Sequence, residues 1–200
     1  MKNVLLAISL ILGFGLVLAG CASAPTEEIN ATKAAIASIQ TGDVKTYAPE
    51  SLKAAEDGLN KALAAIQAQD GKFAMTRDYK QASAMLKSAK ELVEKAKGDA
   101  QLAMTKAKAD AEAAIAALPQ MIEEAKKALA KAPKGKDTKA DLEAMQNDLK
   151  LAEEALNEAS TALSQSKYND ALAKADSAKS MASSIIDQIK KAQEKVKGRR

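Results

Sequence analysis

The chain has 200 residues, 47% hydrophobic and 2% aromatic, with 30 Lys and Arg against 26 Asp and Glu and a formal charge of +4. It contains no histidine, no tryptophan and one cysteine. This removes the commonest acid–base and metal-ligating side chain, any internal disulfide, and the dense basic surface with stacking aromatics that nucleic-acid binding uses. Alanine makes up more than a fifth of the residues. It loses no side-chain entropy in a helix, so helix is favoured almost throughout. A core of Ala, Leu, Ile and Met must be thin, with helix axes close together.

Met1-Lys2-Asn3 is a short basic start, and residues 4–18 are almost wholly apolar, the length of a signal h-region. Leu18, Ala19 and Gly20 then lead into Cys21. The run is shorter than the roughly 20 residues a membrane span needs, and no basic cluster follows to arrest transfer. This placement resembles the processing box of bacterial lipoproteins. The resemblance implies a signal peptide over 1–20, a covalent diacylglycerol on the Cys21 sulfur, an N-acyl chain on the new amino terminus, and no other cofactor. Two or three acyl chains hold a protein at a bilayer stably, whereas one does so marginally. Ala22 stands where retained inner-membrane lipoproteins typically carry Asp, which implies an outer-membrane lipoprotein facing the periplasm.

After a tether over 21–25, residues 26–131 read as a helical region containing a first hairpin. Thr26 can cap a first helix, with Glu27 and Glu28 where the dipole favours carboxylates, and Gly42-Asp43 ends it. Tyr47 lies just before the next helix and is expected to pack against the first, the alternative being that it lines a groove. Pro49 occupies the first position of that second helix, where its missing N–H costs nothing. Leu52, Ala55, Leu59, Ala62 and Ile66 follow at alternating steps of three and four, a heptad seam. Asp70-Gly71-Lys72 is the turn, and Tyr79, Ala82, Leu86, Ala89, Val93 and Ala96 repeat the seam on the return. The pattern runs through Ala100, Ala103 and Ala107, then drifts toward Ala111, Ala114 and Leu118. Gly98-Asp99 is a break or a weak spot, and Pro119 kinks or restarts the helix.

Residues 132–137, with Pro133 and Gly135, form the clearest linker. A second hairpin occupies 138–197. Leu142, Met145, Leu149, Ala152, Leu156, Ala159 and Leu163 form its first seam, and 164–169 contain the turn. Tyr168, Ala171, Ala175, Ala178, Ala182, Ile185, Ile189, Ala192 and Val196 form the return without a slip in spacing. The two hairpins resemble each other. The eight residues from Ala55 match the eight from Ala152, and Asp78-Tyr79-Lys80-Gln81-Ala82 matches Lys167-Tyr168-Asn169-Asp170-Ala171. The expected fold is therefore all-α: long antiparallel helical hairpins in a bundle, with the hairpin internally duplicated. Each tyrosine is expected at the start of a return helix, its ring closing the seam and its hydroxyl reaching water.

Little in the sequence supports catalysis. The carboxylate pairs Glu123/Glu124 and Glu153/Glu154 lie among lysines on helix surfaces and read as solvated faces. Neither a phosphate-cradling glycine loop nor a metal-ligand cluster is present. The expectation is no enzyme, no catalytic residue and no metal. The tail holds the densest basic patch: Lys195, Lys197, Arg199 and Arg200. They read either as cations favoured at a helix C-terminus or as a contact for anionic wall polymer or lipid.

Tyr47-Ala48-Pro49, then Ala55, Leu59 and Ala62, then Asp78-Tyr79-Lys80-Gln81-Ala82 with Ala89 and Ala96, resemble a large group of alanine-rich helical bacterial lipoproteins of undefined role. The likeness covers about 46–97, with a weaker version over 140–190. The lipid-linked start, alanine-rich heptads and basic end also resemble the major helical outer-membrane lipoprotein. In that family a terminal lysine bonds to peptidoglycan; here the chain ends in Arg199-Arg200, which cannot form that amide.

These features favour a lipid-anchored periplasmic structural or scaffold protein that contacts an envelope protein or peptidoglycan. The other class is a carrier whose seams open around a lipid or a partner's amphipathic helix. A thin alanine-rich hairpin buries little apolar area, so homo-oligomerisation is open. The hairpins can form one four-helix bundle, lie end to end, or pair between chains.

Overall fold

A computed structural model describes residues 23–133 and 139–197, and among these every regular element is helical. The six α-helices are α1 (Thr26–Ala37), α2 (Asp43–Tyr47), α3 (Pro49–Asp70), α4 (Lys80–Ala130), α5 (Lys139–Ser164) and α6 (Tyr168–Lys197), with one 3₁₀ turn over Ala74–Thr76. The chain divides into two compact units, Met1–Gln101 and Leu102–Arg200.

In the first unit α3 and the early part of α4 form the expected hairpin. Leu52 and Ala55 share a core cluster with Val93, Ala96 and Ala100, while Ala62 and Ile66 cluster with Tyr79, Ala82 and Leu86. That pairing order makes the two helices antiparallel. The seam residues fall inside because steps of three and four keep them on one face. Small residues set the spacing. A Cβ on Gly58 would lie 3.3 Å from Leu92 Cδ1 and 3.4 Å from Ala89 Cβ. The helix α1 completes the unit: Ile36 joins the Leu52 cluster, and Ala24 and Ile29 pack on the Ile66–Tyr79 cluster. It therefore runs parallel to α4 and antiparallel to α3. Its buried Thr32 donates its hydroxyl to the Glu28 carbonyl at 2.7 Å, so no polar atom there is orphaned.

Several boundaries differ from expectation. Thr26 does not cap α1; it is the first helical residue, and its hydroxyl donates to the Ala24 carbonyl instead. The first helix stops at Ala37 rather than at Gly42-Asp43. Gly42 has φ +74°, a left-handed backbone that stops the preceding loop and lets Asp43 start the separate turn α2. Tyr47 therefore lies within a helix, half-buried against the cluster that contains Ile36 and Ile39.

Gly98 and Pro119 both lie inside α4, which is continuous from Lys80 to Ala130. Asp99 has a tertiary role: it accepts Ser51 Oγ at 2.5 Å and Lys95 Nζ at 2.6 Å. Pro119 is exposed and removes one backbone donor, but its neighbours Leu118 and Ile122 are buried and hold the helix on either side. The drift in the pattern has a physical counterpart. Residues 101–110 include none that is buried, Leu102 is 72% exposed, and the segment carries the i,i+4 pair Lys106–Asp110.

In the second unit, α5 and α6 pair antiparallel as expected. Ala155 and Ala159 cluster with Ala175 and Ala178, and Met145 clusters with Ile185 and Ile189. Residues 102–130 were expected to belong with the first hairpin. Instead Leu118 joins the alanine cluster, and Ile122 and Ala125 join the Met145–Ile185 cluster. The apolar face after Pro119 is thus spent on α5 and α6, giving a second set of three packed helices. The compact-unit boundary accordingly falls after Gln101.

The turn between α5 and α6 is tighter than the span 164–169. Lys167 N–H donates to the Ala162 carbonyl at 2.9 Å and Ser166 N–H to that of Leu163 at 3.0 Å. With Ser166 at φ 59° this is a Schellman cap in which serine takes the place usually held by glycine.

Candidate functional site

Cys21, the expected site of lipid attachment, and Leu18, Ala19 and Gly20 of the expected processing box lie outside the described residues, as do Arg199 and Arg200. Lys197 is the last residue of α6 and its side chain is likewise outside the description. Lys195 is exposed in the last turn of α6. Of the four basic tail residues, Lys195 is the one whose side chain lies among the described residues.

Two features of the first unit point to the end where α1 begins. The first is Ala24, three residues from Cys21 in sequence, which packs on the cluster of Ile66, Tyr79 and Leu86. The second is the turn between α3 and α4. Arg77 folds back so that its Nε donates to the Lys72 carbonyl at 3.0 Å and its Nη2 to the Asp70 carbonyl at 2.8 Å. A cation is thereby placed on the last carbonyls of α3, where the dipole favours it. Gln69 Oε1 accepts Asp78 N–H at 3.1 Å, and Asp78 Oδ1 accepts Lys80 N–H at 2.9 Å. Tyr79 closes the seam as expected, but its hydroxyl does not end in water; it donates to the Asp70 carboxylate. That hydrogen bond is the main cause of a phenol pKa raised above its ordinary value, with burial adding to it.

This framework displays two apolar side chains to solvent. Phe73 is 74% exposed and Met75 77% exposed. Sequence reading missed both. A signal was present: Phe73 is the sole phenylalanine after Phe14, and it falls in a turn where no helical face needs it.

One member of each carboxylate pair, Glu123 and Glu153, sits in a solvated ion pair with Lys126. Lys126 Nζ bridges Glu123 at 2.9 Å and Glu153 at 2.8 Å, and these hydrogen bonds push the ammonium pKa up to about 12. The same contact holds the Glu123 carboxyl below its usual range. Glu124 accepts Gln120 Nε2 at 3.1 Å. On the facing pair α5–α6, Lys174 meets Glu158 at 2.6 Å, which raises the lysine pKa. All these groups are largely in water, so such bridges set local geometry more than stability.

Among the described residues, no group of His, Cys, Asp and Glu could hold a metal ion. Within the same residues, no helix is long and apolar enough to cross a membrane. No family model, curated protein or solved structure matches the chain.

Proposed function

We propose that the protein is a lipid-anchored structural or scaffold component of the bacterial cell envelope, held at the periplasmic face of the outer membrane by acyl chains on Cys21. It acts by contact, without turnover. The observation that carries this reading is the sequence Leu18-Ala19-Gly20-Cys21 at the end of a short apolar run behind a basic start.

Packing supports the scaffold over the carrier. The interiors of both units are lined by fully buried alanines such as Ala55, Ala89, Ala159 and Ala178. Helices that approach on Cβ methyls leave no room between them for an acyl chain or a guest helix. The exposed faces carry interleaved lysines and carboxylates, the surface of a protein that meets partners from outside.

The scaffold is built by internal duplication. Each unit packs three helical segments in the same relative directions, the first parallel to the third: α1, α3 and the start of α4 in one, the end of α4, α5 and α6 in the other. The matched alanine segments beginning at Ala55 and Ala152 occupy the middle helix of each.

Crosslinking in intact cells followed by affinity isolation, comparing wild type with Cys21→Ser, tests the reading. Envelope proteins or peptidoglycan fragments captured with wild type and lost with the variant are expected. Stoichiometric free lipid co-purifying with both forms would instead establish the carrier.

A further inference from the structure

We propose that the turn between α3 and α4 is a second membrane contact, in which Phe73 and Met75 enter the headgroup–acyl boundary of the leaflet that carries the Cys21 lipid. The proposal rests on the anchor at Cys21, and it identifies what the anchored end of the first unit does.

Placement is the first argument. Ala24 packs on the cluster containing Ile66 and Tyr79. Three residues of chain separate Ala24 from Cys21, about 10 Å at full extension. From Ile66 the helix α3 rises about 6 Å to its end at Asp70. An acylated Cys21 therefore brings the bilayer surface within reach of the turn that follows Asp70. The opposite end of the unit, with Ile39, Val44 and Ala100, belongs to the other cluster.

Chemistry is the second. Phe73 and Met75 are large apolar side chains, two residues apart and both almost fully in water. Scattered exposed apolar residues are ordinary, but these two share one short turn. A phenyl ring suits the membrane interface, and methionine adapts to an irregular, mobile surface. Lys72 and Lys80 are exposed on either side, and Arg77 is partly so. These cations fit anionic headgroups. The turn's carboxylates are already engaged, Asp70 by the Tyr79 hydroxyl and Asp78 by the Lys80 N–H. At the start of α1, Glu28 lines a groove with Lys87 and Lys90.

The turn is also built before it meets a membrane. Arg77 ties it to the end of α3, and Thr76 donates both its N–H (2.9 Å) and its hydroxyl (2.8 Å) to the Phe73 carbonyl. The apolar pair is thus presented without an ordering cost at the moment of contact.

The chain has no tryptophan, so Phe73→Trp introduces a sole reporter at an exposed position. The full-length processed protein is reconstituted in vesicles of phosphatidylethanolamine and phosphatidylglycerol with brominated acyl chains. Thr41→Trp, exposed near the far end of α1, serves as comparison. The expected result is blue-shifted, bromine-quenched emission from Phe73→Trp and unshifted, unquenched emission from Thr41→Trp. Palmitate incorporation is scored separately on the same preparations. A protein that carries palmitate and floats with vesicles while Phe73→Trp stays unquenched overturns the second contact and leaves the anchor standing. A protein without palmitate ends the anchor reading and with it the second contact that rests on it. Equal quenching of both reporters also overturns the proposal, because the contact is then not at this turn.

Discussion

Tyr79 and Asp70 stand nine residues apart and are hydrogen-bonded across the turn, hydroxyl to carboxylate. One residue ends α3 and the other immediately precedes α4, so the bond closes the hairpin where the chain reverses. It also shields the end of the seam, since the ring is only 5% exposed.

That bond has a pH signature. The Tyr79 pKa is raised above its ordinary 10.0 because the neutral phenol donates to a carboxylate. Its stabilising contribution is complete below that ordinary value and is lost as pH rises through the folded value. In a spectrophotometric titration Tyr79 is expected to ionise above the ordinary phenol value, as a late component. Tyr79→Phe should remove that late component and lower the melting temperature modestly. Identical per-tyrosine curves for the two proteins would refute the assignment.

Asp99 behaves in the opposite sense. Its carboxyl is held below its ordinary 3.8, first by the hydrogen bond from Lys95 and then by that from Ser51. Its contribution is complete above that ordinary value and disappears as pH falls through the lower folded one. Melting temperature followed by circular dichroism into acid should fall less steeply for Asp99→Asn than for wild type. A steeper or unchanged acid limb counts against the Ser51–Asp99 tie.

The α5–α6 cap offers a stabilising change. Ser166 holds a left-handed backbone that L-residues adopt at a cost. Ser166→Gly should raise the unfolding free energy by about 1 kcal/mol, read from chemical denaturation. A loss of stability would show that the serine side chain itself holds the turn.

The closeness of the seams is tested by adding volume. Ala159 is fully buried among Ala155, Ala175 and Leu118. Ala159→Leu should cost about 1–3 kcal/mol by overpacking. Ala144→Leu, at an exposed position of the same helix, should stay within about 0.5 kcal/mol. Comparable losses at the two sites would mean that the alanine seam is not tightly packed.

Much of the helical architecture could be read from spacing alone. Leu52, Ala55, Ala62 and Ile66 face Ala82, Leu86, Val93 and Ala96 because a three–four repeat fixes which side of a helix is apolar. Spacing does not say which partner an apolar face will choose. Ile122 and Ala125 continue the same helix as Val93 but pack with Met145 and Ile185, a choice made by tertiary contact. Local propensity leaves the continuity of the helix across Gly98 and Pro119 open, and buried neighbours and the Ser51–Asp99 bond keep α4 helical through both. The turn bearing Phe73 and Met75 has no periodicity, so pattern reading passed over it. Its order comes from side chains such as Arg77 and Gln69 that reach back to α3.

The central proposal is that Cys21 carries lipid. Cells expressing the full chain are labelled with an alkyne analogue of palmitate, and the protein is isolated and probed by click chemistry. Wild type is expected to carry the label, migrate as the processed form and partition with membranes, while Cys21→Ser stays unlabelled. Label absent from wild type, or retained by Cys21→Ser, contradicts the account.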